Sequence, residues 1–158
     1  MTSVKRLTVS ALLAPALLTM LAAGPARAAD PQPVTPFVPG INEDPVLTEN
    51  WQRWQGKDID EYAITVRRSC YCVPTAAVRT VVRDDAVHRV TQDGRRLRAS
   101  RGWSMDELYV MLREVGVEAD SVEVDWTPRG VPASISVDLD TSVADDETYY
   151  TVSVSRLG

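Results

Sequence analysis

The sequence predicts an α+β fold: a single antiparallel sheet of about six strands with one helix packed on its apolar face. Two helical patterns and six segments of alternating apolar and polar residues follow in the order α-β-β-β-α-β-β-β. Only the second helix separates two successive strands by a long connection, and short connections favour antiparallel neighbours. Such alternation is typical of a sheet with one buried face and one face in water.

The chain begins with the pattern of a secretory signal peptide. Lys5 and Arg6 precede an apolar stretch at 7–23, and Ala26-Arg27-Ala28 is a small-x-small cleavage site. Pro15 interrupts the stretch, whereas a membrane-spanning helix needs about 20 apolar residues without early breakers. We expect cleavage after residue 28 and a secreted, extracellular protein. No cysteine lies near the cleavage site, so no lipid anchor or other membrane anchor is expected on the mature chain.

A proline-rich segment separates the signal peptide from the rest of the chain. Residues 29–43 contain four prolines and few side chains of the kind that fill a core. Proline fixes φ and has no backbone donor, so this composition predicts an extended, flexible leader. The expected organisation is a signal peptide at 1–28, a flexible leader at 29–43 and one globular domain at 44–158.

The first helix is expected from Asp44 to Gly56. Asp44 suits the N-cap, Pro45 the first helical position, and Gly56 a left-handed C-terminal position. One apolar face at helical spacing is formed by Leu47, Trp51 and Trp54. We expect these aromatic residues to belong to the core, and the helix to cover an edge or an end of the sheet.

The second helix is marked by a capping box at Ser104 and Glu107, and Gly116 is expected to end it. Its apolar stripe consists of Leu108, Met111, Leu112 and Val115. The expected strands are Glu61 to Cys72, Ala76 to Arg83, Val87 to Thr91, Ser121 to Trp126, Ala133 to Leu139 and Thr148 to Leu157. Asp84-Asp85 and Asp93-Gly94 are turn signals, and Gly130 marks a rigid hairpin corner.

The composition indicates an acidic protein. Loss of Lys5, Arg6 and Arg27 with the signal peptide leaves 14 of 17 basic residues against 22 acidic ones, a net charge near −8. Such a protein is repelled by phosphate backbones, so nucleic acid is not expected as a partner. About 130 mature residues can bury one core without several disulfides.

Cys70 and Cys72 are the only cysteines of the chain. An oxidising compartment favours a local disulfide, although two residues of extended strand span about 6.6 Å, near the limit for such a bond. The ring would close about three residues and contribute only about 1.5 kcal/mol. A thiol-redox role, a copper or zinc site, and free or intermolecular thiols remain open as alternatives.

No catalytic constellation emerges from the sequence. His88, the only histidine, is expected to face water, and no G-x-S-x-G motif is present. The acidic residues from Asp138 to Glu147 lack the spacing of a calcium loop and are interpreted as a solvated turn. We therefore expect no catalytic residues, no metal site and no cofactor.

A basic run contrasts with the acidic composition. Four arginines follow the Asp93-Gly94 turn closely: Arg95, Arg96, Arg98 and Arg101. Such a run is usually a solvated loop, but it is also a possible binding site for an acidic partner or a cell-wall polymer.

The chain resembles the DUF6174 family of secreted or lipid-anchored proteins, which is common in high-GC actinobacteria. The resemblance rests on Ser-Cys-Tyr-Cys at 69–72, Ser-Met-Asp-Glu-Leu at 104–108, and the segments 124–138 and 145–152. It extends from about Trp51 to Val154. It supports the fold and the extracellular location, and it implies no activity, because the function of the family is uncharacterised.

The sequence favours a non-enzymatic binding or interaction module outside the cell. The reasons are the secretion signal, a complete small core and the lack of a nucleophile and base. The expected partner is an extracellular protein or a cell-wall ligand. The alternative is a thiol-redox or metal-handling protein that uses Cys70 and Cys72.

Overall fold

The computed structural model describes residues 30–157, and the predicted signal peptide lies outside them. Two helices are present, α1 (Pro45–Gln55) and α2 (Met105–Glu118). The strands are β1 (Gln32–Pro33), β2 (Tyr62–Cys70), β3 (Val78–Arg83), β4 (Ala86–Gln92), β5 (Arg95–Leu97), β6 (Ser121–Trp126), β7 (Pro132–Asp138) and β8 (Thr148–Arg156). Within 30–157, neither helix is long and apolar enough to cross a membrane.

All eight strands belong to one antiparallel sheet in the order β1-β4-β3-β2-β8-β7-β6, with β5 also paired to β4. The predicted α+β class is confirmed, but the sheet has more strands than the expected six. The two additional strands are β1, whose two residues lie in the proline-rich segment, and β5, whose three residues follow the Asp93-Gly94 turn. Segments of two or three residues are too short for a period of two to be read from the sequence.

Both helices begin where their capping residues predict. The Asp44 side chain accepts a hydrogen bond from the Leu47 N–H at 2.9 Å. Ser104 accepts from the Glu107 N–H at 3.1 Å, while the Glu107 carboxylate accepts from the Ser104 N–H at 2.6 Å. These bonds satisfy backbone donors that have no partner within the helix.

The helix ends differ from the prediction. Gly56 has a φ of −68°, so the expected left-handed end of α1 is wrong. Gly116 was expected to end the second helix, but α2 continues to Glu118. A glycine weakens a helix by about 1 kcal/mol without stopping it, and tertiary packing outweighs that preference.

The core lies between α2 and one face of the sheet. Tyr62, Ile64 and Val66 project from β2 towards α2, where Leu108 and Tyr109 are fully buried. Buried residues of the neighbouring strands extend this cluster: Val82, Val87, Val90, Ile135, Val137 and Val152. The predicted alternation along the strands therefore corresponds to one buried and one solvent face.

The first helix covers one end of the sheet, next to α2. The Trp54 and Tyr62 rings lie 5.3 Å apart where β2 begins, and the Trp51 and Tyr109 rings lie 4.8 Å apart. Gly130, in the turn between β6 and β7, meets the backbone of α1 directly: a Cβ at this position would lie 2.1 Å from the Asn50 carbonyl oxygen. The predicted hairpin corner therefore joins the sheet to α1.

The proline-rich segment contacts the domain at several points between Gln32 and Glu43, although its composition predicted a flexible leader. Gln32 and Pro33 pair with β4. Phe37, with 3% exposure, packs 5.1 Å from the Trp51 ring and 5.3 Å from the Tyr109 ring. Burial of the Phe37 ring holds the proline-rich segment against the domain, and the prolines by themselves do not predict this.

Candidate functional site

An open groove lies between the two helices and the edge of the sheet. Its walls are residues 38–44, the first turn of α1, the last turns of α2 and the core face of β6. Its volume is about 1180 Å³. Pockets for small molecules usually measure about 300 to 1,000 Å³. The groove therefore has room for a length of polypeptide.

The rim of the groove is apolar and exposed. Ile41 has an exposure of 104% and Val117 of 85%, and both line the groove. Val38 and Val46 are also exposed and lie on the same rim. Four of the nine exposed large apolar residues of the described chain are thus found here, so exposed apolar surface is concentrated at one place. Such concentration marks interaction sites on soluble proteins.

Gly116 keeps the groove wide. It lies inside α2, and a Cβ built on it meets no atom within 4 Å. Packing within the described chain therefore does not require a glycine here, although glycine is less favourable than alanine in a helix by about 1 kcal/mol. A larger side chain at this position would project into the groove.

Arg113 joins the leader to α2 at the floor of the groove. Its Nε donates to the Glu43 carboxylate at 2.6 Å, and its Nη2 donates to the Val38 carbonyl at 2.8 Å. Its guanidinium also lies 4.2 Å above the Phe37 ring. Because Glu43 neutralises this single cation among the lining residues, the remaining charges there, on Asp44 and Asp120, are negative.

The β6 strand leaves one edge of the sheet open beside the groove. It pairs only with β7 within residues 30–157. In an antiparallel pair, every second residue directs its N–H and C=O away from the partner strand, and such an edge can accept another strand. Val122, Val124 and Trp126 face the groove, while Glu123 and Asp125 lie exposed on the solvent face.

Cys70 and Cys72 form a disulfide at the end of β2, with their Cα atoms 5.1 Å apart. The Cys72 N–H donates to the Cys70 carbonyl at 2.7 Å, which bends the chain as it leaves the strand. Tyr71 and Val73 beside them are exposed to 83% and 82%. None of these residues lines the groove.

His88 and the cysteines lie at opposite ends of the sheet. His88 is partly buried in β4. Its neighbour Val87 pairs with Val82, and Val82 pairs with Tyr62, so His88 lies near the start of β2. The eight steps between Tyr62 and Cys70 span roughly 26 Å at the rise of a strand. The structure therefore does not bring the histidine and the sulfur atoms together.

The four arginines of the basic run are all exposed, but they do not form one patch. Arg95 and Arg96 are consecutive in β5, so they project to opposite faces of the sheet. Arg98 follows the strand, and Arg101 ends a short 3-10 turn at Ala99–Arg101. Only Arg96 shares the solvent face of the sheet with other arginines.

The acidic residues after β7 mainly shape the connection to β8. Asp140 accepts hydrogen bonds from Ser142, which lower the pKa of Asp140. Burial raises the pKa of Asp138, and the nearby carboxylates of Asp146 and Glu147 raise it further. Within the described part of the chain, no three or more histidine, cysteine or acidic side chains are grouped to hold a metal ion.

The sequence did not reveal the groove as a site. Its rim residues lie in three separate segments of the sequence, and nothing in one segment points to the others. One signal was available: Phe37 and Val38 form an apolar pair between two prolines, and Phe37 is the only phenylalanine of the chain. Large apolar residues such as Ile41 and Val117, which belong to no apolar stripe, are a further signal.

The comparisons with known proteins agree with the resemblance read from the sequence. The model of a family of unknown function, DUF6174, matches residues 46–156, which include α2, α1 without its first residue, and all strands of the sheet except β1. No curated protein and no solved structure matches. The match covers most of the chain, and the chain therefore belongs to the DUF6174 family.

Proposed function

We propose that this protein is a secreted, extracellular binding module that holds an extended segment of a partner protein in the groove between α1, α2 and β6. The observation that carries the proposal is the concentration of exposed apolar side chains around a groove beside an unpaired strand edge. Strand addition uses such an edge for main-chain hydrogen bonds and uses neighbouring side chains for specificity.

The charges beside the edge favour a basic partner. A strand added to β6 would place every second side chain on the solvent face, next to Glu123 and Asp125. Its other side chains would face the groove, next to Val122 and Val124. The complementary segment therefore alternates basic and apolar residues.

A second copy of the chain fits this edge less well. If two β6 strands paired antiparallel, Glu123 and Asp125 of one copy would lie next to the same acidic residues of the other. Like charges on neighbouring strands destabilise pairing. The bulge between Asp125 and Trp126 further limits a regular ladder between two copies.

Synthetic peptides test this proposal. The probe is an eight-residue peptide of alternating lysine and valine, with a glutamate–valine peptide as the charge control. A third peptide keeps the lysine–valine side chains but carries N-methyl groups on alternate amides, so it cannot donate to the edge. We expect the first peptide to bind and to slow hydrogen exchange in β6. The glutamate peptide should not bind, and N-methylation should weaken binding at least tenfold.

Two exposed valines provide matched variants. Val117→Asn removes apolar surface from the rim, whereas Val73→Asn removes it from an equally exposed site outside the groove. Burying a valine is worth about 1.5 kcal/mol, so Val117→Asn should weaken binding about tenfold and Val73→Asn should not change it. Equal losses, protection outside β6, equal binding of the acidic peptide, or no binding of the lysine–valine peptide would each contradict the proposal.

The extracellular location needs its own test, since it rests on the sequence of residues 1–28. Expression of the full chain in a secreting bacterial host should release a protein whose N-terminus is Ala29. Retention of the uncleaved chain in the cytoplasm would contradict this part of the proposal and leave the peptide experiment unaffected.

A second candidate function is thiol–disulfide exchange at Cys70 and Cys72. The observation in its favour is the accessible disulfide, with Cys72 exposed at the end of β2. Exchange would need attack by the thiolate of a partner on one of these sulfur atoms and release of the other as a thiolate. A reduction potential near that of glutathione, measured by alkylation and intact mass, would support the exchange function. A potential below about −300 mV is typical of structural disulfides and would exclude it.

A further inference from the structure

The solvent face of the sheet carries a diagonal row of arginines. Thr65 pairs with Arg79, and Arg67 lies two residues further along β2 on the same face. Val81 pairs with Arg89, and Arg79 lies two residues before Val81 on the same face of β3. Arg67, Arg79 and Arg89 are therefore diagonal neighbours on three adjacent strands, each step about 8 Å. We call these three residues the arginine track.

Neutral hydroxyl groups flank the track on both sides. Thr151 pairs with Arg67, and Arg79 pairs with Thr65 on one neighbouring strand and with Thr91 on the other. All these positions lie on the face that the core does not use. Arg67 and Arg79 therefore lie beside groups that can donate and accept hydrogen bonds, whereas Arg89 lies opposite Val81.

An exposed aromatic ring continues the row at one end. Tyr149 pairs with Ser69, which lies two residues beyond Arg67 in β2, so Tyr149 takes the next diagonal position, on β8. The exposure of Tyr149 is 50%. The row as a whole spans roughly 24 Å from the aromatic residue to the last arginine.

The three strands that carry the track contain no acidic residue. The solvent-face positions of β2, β3, β4, β5 and β8 carry no aspartate or glutamate. None of the ion pairs found within residues 30–157 involves a track arginine. The acidic side chains of the strands on this face, Glu123, Asp125 and Asp138, lie on β6 and β7, and Glu61, just before β2, pairs with Arg83. A row of like charges without counter-charges is electrostatically unfavourable in the free protein, and an anionic ligand would relieve it.

We infer that the arginine track binds a linear anionic polysaccharide. The guanidinium groups match carboxylate or sulfate in a fork geometry, the flanking threonines offer partners for sugar hydroxyls, and Tyr149 offers an apolar ring face to a sugar ring. Single-stranded nucleic acid binds instead on several aromatic residues in succession, and the solvent-face strand positions within residues 30–157 carry one, Tyr149. The inference concerns the face opposite to the groove and does not depend on the peptide-binding proposal.

The test uses polysaccharides that differ in charge. Dextran sulfate and polygalacturonate are the anionic probes, dextran is the neutral control, and poly-glutamate and single-stranded DNA are the other polyanions. At low ionic strength, we expect both anionic polysaccharides to bind the mature protein, with affinity that falls as salt is added. Dextran should not bind. Poly-glutamate and DNA should bind at least tenfold more weakly than the two anionic polysaccharides.

Charge-matched variants locate the site. In the track variant, Arg67, Arg79 and Arg89 are replaced by glutamine. In the control variant, three exposed arginines outside the track are replaced by glutamine: Arg95, Arg101 and Arg129. Both variants change the net charge equally. Binding of dextran sulfate should weaken at least tenfold in the first and less than twofold in the second, with both proteins melting within a few degrees of the wild type.

Tyr149→Ala separates sugar recognition from charge alone. It should weaken binding of polygalacturonate about fivefold and leave any weak binding of poly-glutamate unchanged. The inference would be overturned by equal losses in the two triple variants or by no binding of either anionic polysaccharide. It would also be overturned if poly-glutamate or DNA bound as tightly as the polysaccharides.

Discussion

Phe37 determines the path of the leader through a single set of contacts. Its ring lies between Trp51 and Tyr109 beneath the Arg113 guanidinium, and its N–H donates to the Asp106 carboxylate at 2.9 Å. Burial raises the pKa of Asp106, and this hydrogen bond opposes that shift. The leader therefore forms a wall of the groove instead of leaving the domain.

Phe37→Ala should detach this wall. Loss of a buried phenylalanine removes apolar burial and leaves a cavity, which costs about 3 to 5 kcal/mol. Urea denaturation should show a loss of this size, and protease should cleave residues 30–43 faster. Val38→Ala is the neighbouring control, because Val38 is exposed and its truncation should change stability by less than about 0.5 kcal/mol. Equal effects of the two variants would show that the leader is not anchored at Phe37.

Asp138 makes stability depend on pH. Because its pKa is raised, the folded protein binds a proton there more tightly than the unfolded chain does. Stability therefore falls as the pH rises from the unfolded pKa to the folded pKa of this group. Asp138→Asn should be more stable than the wild type at pH 7 and equally stable near pH 3, as measured by urea denaturation.

The control for Asp138 is Glu123→Gln, an exposed acid on the same face of the sheet. At pH 7 its stability should differ from that of the wild type by less than about 0.5 kcal/mol. The Asp138 interpretation would fail if Asp138→Asn were less stable than the wild type at pH 7.

Among the elements, those with local signals were predicted well. Asp44 and the Ser104–Glu107 box correctly predicted where the helices start. Each capping bond joins residues only three apart, so the pattern is visible in the sequence. The Asp84-Asp85 and Asp93-Gly94 turns have positive φ at both residues, which suits these residue types. The end of α2 was not predictable in this way, because the packing of α2 on the sheet outweighs the low helix propensity of Gly116.

The corner between β6 and β7 depends on Gly130. Its φ is +78°, and an added Cβ would lie 2.1 Å from the Asn50 carbonyl oxygen. Gly130→Ala should therefore destabilise the protein by about 4 kcal/mol, since it combines an unfavourable φ with a clash between backbones. Gly94→Ala has a similar φ of +73° but no neighbour within 4 Å, so it should lose only about 1 kcal/mol. Thermal denaturation of the two variants would contradict this account if their losses were equal.

Gly116 is the opposite case, a glycine that the fold does not need. Gly116→Ala should stabilise the protein by about 0.5 to 1 kcal/mol, because alanine is the better helix former and its Cβ meets no atom. Gly116→Leu should keep the fold and weaken binding of the lysine–valine peptide by filling the groove. If Gly116→Ala destabilises the protein, the fold requires this glycine, and Gly116 no longer supports the proposal that the groove binds a ligand.

At the scale of the whole molecule, the groove requires the complete topology. Residues 38–44, the end of α2 and the β6 strand meet only after the sheet has placed β6 at one edge and α2 across its face. The arginine track likewise depends on the registers of β2, β3 and β4. The sequence shows the six longer strands through their period of two, but the order and register of the strands depend on contacts between distant residues. Those six strands were therefore predictable, whereas β1, β5 and the two binding surfaces were not.

The disulfide is expected to contribute little to the stability of the whole molecule. It closes a ring of about three residues at an exposed end of β2, outside the cluster that α2 forms with the sheet. Loop closure of this length contributes at most about 1.5 kcal/mol. A variant with both Cys70→Ser and Cys72→Ser should therefore remain folded and unfold in urea with a loss of no more than that amount.

Reduction of the wild type without mutation is the control for the serine variant, and it should give the same small loss of stability. The buried side chains between α2 and the sheet would then account for the stability of the fold, and the disulfide would fix only the bend after β2. A loss above about 3 kcal/mol, or an unfolded serine variant, would show instead that the short ring organises β2 and the strands paired with it.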